Sequence, residues 1–73
     1  MDKARDNELL RLPPASAMAG VWDISIQTVY QRTHGRIQTS ARAIATLARE
    51  LDLDCGLLCM EFARRRARFL ADH

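Results

Sequence analysis

Ile44, Leu47, Ala48 and Leu51 recur at i, i+3, i+4 and i+7 and lay a single apolar stripe along a helix. This is the clearest periodicity in the chain. It predicts an amphipathic helix over residues 41–51, with Thr39 or Ser40 in place to cap its first turn. Upstream, residues 14–21 and 25–33 read as two short helices joined by a turn at 22–24. The sequence His34-Gly35-Arg36 ends the second of these, Gly35 being suited to a left-handed cap. A further helix over 55–70 has Asp54 as its cap and Leu58, Cys59, Phe62 and Phe69 as apolar positions. Residues 6–12 predict a short opening helix contributing Leu9, Leu10 and Leu12; Pro13-Pro14 closes it, because a residue before proline is pushed out of the α region. The period is helical almost throughout, so the expectation is an all-α fold of four to five helices forming one domain over 1–73.

Size and composition narrow the function more than the fold. At 73 residues the chain lies near the lower limit for burying a self-sufficient core, and Trp22, Tyr30, Phe62 and Phe69 are its aromatics. No apolar run approaches the ~20 residues that span a bilayer, and the polar start MDKARDNE is not a leader, so no membrane association and a cytoplasmic location in a bacterial host cell are expected. Cys55 and Cys59 are four apart on one helical face and are expected to pack as small hydrophobes. Only His34 and His73 could add imidazole to them, which leaves a zinc site incomplete; no metal or cofactor is expected. The sequence has no Gly-rich phosphate loop, paired-carboxylate site or Ser/His/Asp set, which argues against an enzyme.

Charge is modest in sum and uneven in distribution. The net charge is +2, yet no carboxylate falls between Asp23 and Glu50, while Arg32, Arg36, Arg42 and Arg49 do. A second basic block comprises Arg64, Arg65, Arg66 and Arg68. Such segregation gives one face a positive potential even when the total is small.

Within about 14–33 the parts of a helix-turn-helix appear in order. Ala19 is a small residue where two helices must approach, Asp23 tolerates the left-handed conformation of a tight turn, and Ser25 can cap the second helix. The second half, HGRIQTSARAIATLARELDL, supplies a Gly-containing loop and a Leu-Ala-x-x-Leu helix. Together these residues, about 15–53, resemble the Xre family of Cro- and phage-repressor-like regulators, with a lambda-repressor-like helical fold. The resemblance implies a phage- or plasmid-encoded transcription regulator whose second motif helix enters the DNA major groove. Ser25, Ile26, Gln27, Thr28 and Gln31 then stand where the family presents base-contacting side chains; Gln can bond adenine bidentately and Ile26 could meet a thymine methyl. Arg32, Arg36 and Arg42 would contact phosphates.

Three positions depart from the family pattern: Asp23 replaces the usual glycine, Arg32 an inward apolar residue, and Trp22 a Leu or Val. They keep a second reading open, in which the same scaffold binds host RNA polymerase, inhibiting initiation or altering termination. Trp22, Tyr30, Phe62, Arg64, Arg65, Arg66 and Arg68 would then form the protein interface. A homodimer is a further expectation, with Leu57, Leu58, Phe62 and Phe69 serving either as its seam or as core.

Overall fold

The computed structural model describes residues 12–72 and is helical throughout, with no strand among those residues. It has four helices in this range: α1 (Ala15–Trp22), α2 (Ile26–Thr33), α3 (Ala41–Glu50) and α4 (Cys55–Asp72). The opening helix expected over 6–12 lies outside the described residues except for Leu12, which is non-helical and packs against the core.

Local side chains start the helices. Ser25 Oγ accepts from the Thr28 N–H at 3.2 Å, Ser40 Oγ from Ala43 N–H at 3.1 Å, and Asp54 Oδ1 from Leu57 N–H at 2.9 Å. Each fills one of the donors that a helix N-terminus leaves unpaired. Of the two candidate caps for α3, Ser40 takes the position. Pro14 precedes α1 in an extended conformation (ψ 145°) instead of opening it, and its carbonyl accepts from Ala17 and Met18.

The first three helices end alike. Asp23 (φ 56°), Gly35 (φ 78°) and Asp52 (φ 54°) each adopt the left-handed conformation. In each case the next N–H reaches back five residues: Ile24 to Ala19, Arg36 to Gln31 and Leu53 to Ala48. This is the Schellman closure, which satisfies carbonyls that the helix cannot. Asp tolerates αL better than most side chains, so two of these turns form without glycine. The motif turn is consequently 23–25, one residue later than its sequence expectation, because Trp22 remains helical.

Met18, Val29, Ile44, Leu47, Ala48, Leu58 and Phe62 form the buried core, one or more from every helix. Leu12, Ala19, Trp22, Ile24, Leu51 and Cys59 pack around it. The α3 stripe behaves as its period requires: Ile44, Leu47 and Ala48 are buried and Leu51 is half-buried. At ~25 cal/mol per Å² of apolar surface this burial is the main force holding so small a fold. No helix among the described residues is long and apolar enough to cross a membrane.

Candidate functional site

α2 is amphipathic and shows its polar side outward. Val29 and Thr33 point into the protein, while Ile26, Gln27, Tyr30, Gln31 and His34 are exposed. Tyr30 is 50% exposed and stacks on His34, with ring centroids 5.9 Å apart and planes 13° from parallel. Gln27 and Gln31 flank that stack one turn apart, as residues four apart must. The face is thus built from amides, an aliphatic group and a stacked ring pair, and carries no carboxylate. His34 belongs to it, although the sequence pattern marks that residue only as a helix end and a candidate imidazole ligand.

The other two residues expected to meet bases are partly committed to the fold. Ser25 caps the helix, and its hydroxyl also lies 3.0 Å from that of half-buried Thr28. Ile26, Gln27 and Gln31 are the members of the set whose side chains stand out.

The arginines divide sharply. Arg36 and Arg42 are exposed, and among the described residues neither guanidinium has a hydrogen-bond or ion-pair partner. Arg32 lies over the Trp22 ring, its guanidinium carbon 4.6 Å from the ring centroid. Its Nε is buried without a hydrogen-bond partner. The stack offsets part of that desolvation cost, since a cation over an indole face is attracted to it. Arg32, expected as a phosphate contact, is therefore half-buried, with its guanidinium held at the Trp22 ring.

Trp22 joins three elements. Its Nε1–H donates to the Ala43 carbonyl at 2.8 Å, and its ring meets Phe62 edge-on at 6.1 Å. A half-buried indole with its N–H satisfied is a packing residue first. Phe62 is 4% exposed, which corrects its assignment to a protein interface: it fills the space between α4 and Trp22. Leu58 is likewise core, and Leu57 and Phe69 are half-buried, so the expected seam along α4 turns mostly inward.

The basic block on α4 serves largely as a latch. Glu61, 2% exposed, accepts from Arg64 Nε and Nη2 and from Arg65 Nε. Arg65 Nη1 also donates to the Thr33 carbonyl at 3.1 Å, and Arg66 Nη1 donates to the Gly35 and Arg36 carbonyls at 2.8 and 3.0 Å. These bonds close the C-terminal end of α2 and its loop onto α4. Burial pushes the Glu61 carboxyl up, but the hydrogen bonds and charges of Arg65 and Arg64 outweigh it and hold the group below its ordinary value. Gly35 fits the same junction: a Cβ there would overlap the Arg65 carbonyl and come within 2.9 Å of Arg66 Cα. Arg64, Arg65 and Arg66 were expected as a partner-binding patch; Arg65 and Arg66 are instead half-buried and spent on the loop. Arg68 is exposed.

The cysteines are both free thiols, Cys55 exposed and Cys59 half-buried. Burial, then the neighbouring Cys55 thiol, pushes the Cys59 thiol up, away from the thiolate that metal binding or nucleophilic attack requires. Among the described residues no group of three or more His, Cys, Asp or Glu side chains converges as a metal site would need.

Comparison with protein-family models, curated proteins and solved structures finds no match to this chain. Any functional reading rests on the residues themselves.

Proposed function

We propose that this protein is a non-catalytic transcription regulator of the Xre type that docks the outward face of α2 into the major groove of double-stranded DNA. The observation that carries the reading is the α2 face: Gln27 and Gln31 exposed one turn apart on a Ser25-capped helix, with no acid in its first turn. The helix N-terminus carries partial positive charge, which favours a polyanion. Unpaired Arg36 and Arg42 supply phosphate contacts that fix register, while Gln27 and Gln31 read base edges. The short α1, the closed turn at 23–25 and the glycine-ended α2 are the parts such a reader needs.

Selection from a random duplex pool with the full chain, followed by binding titrations, tests this. Gln27→Ala and Gln31→Ala are each expected to reduce discrimination between the selected site and random DNA by about 1–3 kcal/mol. Arg36→Ala is expected to weaken binding to all sequences and to reduce the salt slope by about 1. A chain that selects no sequence, or whose selected affinity is indifferent to all three substitutions, rules the reading out.

A second reading has its own observation. Arg32 is stacked on Trp22, and Ile26 and Tyr30 stand out from α2, a composition that suits a protein partner. On that reading the partner is host RNA polymerase, and α2 meets a protein groove. Tyr30→Ala would then abolish co-purification of polymerase from host lysate while leaving duplex binding unchanged.

A further inference from the structure

A groove of about 420 Å³ lies between α4 and the loop that joins α2 to α3. Its walls are mostly apolar: Ile37 from the loop, Ile44 from α3, and Phe62, Ala63, Ala67 and Leu70 from α4. Ile44 and Phe62 belong to the buried core, whereas Ile37 is 38% and Leu70 57% exposed. The groove therefore opens from the core to solvent, along ~10 Å of α4 from Ala63 to Leu70. Sites that hold small molecules have this size and character, apolar walls with a few placed polar groups.

The polar groups are the informative part. Among the described residues, the buried side-chain polar atoms without a hydrogen-bond partner are Arg32 Nε and Thr39 Oγ1, and both residues border this groove. A buried polar atom without a partner is costly, and a ligand acceptor is one thing that relieves the cost. The Thr39 hydroxyl gives up no bond by turning to such an acceptor. Arg32 is held at the Trp22 ring, and an indole has no acceptor to offer its N–H groups. Its guanidinium is thus placed with its donors unused, which lowers the ordering cost of binding. Arg66 also borders the groove, and its bonds to the Gly35 and Arg36 carbonyls neutralise no charge. Neither arginine makes an ion pair among the described residues, and no carboxylate borders the groove.

We infer that this groove binds a small organic carboxylate with an apolar body, its carboxylate on Arg32 and its hydrocarbon part against Phe62, Ala67 and Leu70. Charge sets the sign of the ligand: two guanidinium groups without an opposing acid favour an anion and reject an amine. A planar guanidinium suits the two oxygens of a carboxylate. The apolar walls then require a body, because a bare inorganic anion would leave Ile37 and Leu70 in water. Such a ligand touches α2, the loop that follows it and α4 together. Its binding does not depend on what the outward face of α2 meets.

Octanoate and phenylbutyrate serve as probes, titrated into the isotope-labelled full chain and followed by amide chemical shifts. Saturable shifts are expected at Ile37, Thr39, Ala67 and Leu70, with dissociation constants of about 1 mM or lower. Octylamine, the same kind of body with the opposite charge, should bind at least tenfold more weakly. Ala67→Phe fills the groove from an exposed position and should weaken octanoate at least tenfold with an unchanged circular dichroism spectrum. Arg32→Gln should do the same by removing the charge; if that variant fails to fold, Ala67→Phe and the amine comparison still decide. No saturable shift up to about 10 mM octanoate would overturn the proposal. So would equal binding of octylamine, shifts centred elsewhere, or binding indifferent to Ala67→Phe. Sedimentation of the same samples identifies a protein occupant: an assembly that Ala67→Phe dissociates and octanoate does not would make the groove a protein contact, and would also overturn the proposal.

Discussion

Arg36 and Arg42 lie in one basic stretch of this chain, and Arg65 and Arg66 in another, yet the fold treats the two oppositely. The guanidinium groups of the first pair stand in solvent without a partner among the described residues. The second pair donates to the carbonyls of Thr33, Gly35 and Arg36, and Arg65 also holds buried Glu61. What separates them is the supply of acceptors. The end of α2 leaves carbonyls unpaired, and α4 passes close enough for planar guanidinium groups to reach them. The guanidinium groups of Arg36 and Arg42 make no such bond among the described residues. A run of arginines is thus a binding surface only after the fold has taken those it needs.

The sharpest way to break this arrangement is Gly35→Ala. It combines a left-handed φ of 78° with overlap against the α4 backbone at Arg65. Strain and overpacking together are expected to cost about 3–5 kcal/mol, enough to abolish cooperative melting of a domain this size. Glu61→Ala follows at about 2–4 kcal/mol, because it strips the partner from Arg64 and Arg65 at a buried point. Urea denaturation measures both.

The same glutamate sets a pH dependence. Its folded pKa is depressed, so its contribution is fully present above the ordinary glutamate value of about 4.3 and is lost as pH falls through the lower folded value. Glu61→Gln should therefore flatten the acid limb of the stability–pH curve and leave its neutral shape unchanged. A smaller effect, about 1 kcal/mol, is expected for Trp22→Phe, which removes the bond to the Ala43 carbonyl while keeping most of the apolar contact. Smallest is Gly20→Ala: nothing lies within 4 Å of a Cβ there, so a gain of about 0.5–1 kcal/mol is expected from better helix propensity.

What could be read from the sequence follows from the range of each interaction. Ser25, Ser40 and Asp54 cap through bonds to residues three positions on, and the α3 stripe is a property of one helix, so both were legible. Gly35 was legible as a left-handed cap, but not as a close approach, since its neighbour is Arg65, thirty positions later. Glu61 gave no signal: a carboxylate in an Arg-rich helix reads as solvated surface until the fold shows what covers it. The bonds of Arg65 and Arg66 to the end of α2 and its loop are hidden in the sequence for the same reason. On α4, Leu58 and Phe62, which the sequence offers as seam or as core, are core, and the exposed row is Met60 and Leu70 with the small residues between them. One helix carried two apolar faces, and periodicity alone did not say which faced inward. On the α2 face, Gln27 and Gln31 were found from spacing, whereas the Tyr30–His34 stack depends on side-chain geometry.

The most direct test of this division measures melting temperature and affinity for a random-sequence duplex together in two variants, Arg65→Ala and the double variant Arg36→Ala, Arg42→Ala. A random duplex suffices because phosphate contacts act on every sequence. The account predicts that Arg65→Ala lowers the melting temperature by several degrees, about 4–8 °C per kcal/mol lost, and leaves the duplex affinity of the folded protein unchanged. The double variant should melt like the parent and bind at least tenfold more weakly. The reverse result, with Arg65→Ala impairing binding and the double variant impairing only stability, would contradict the account.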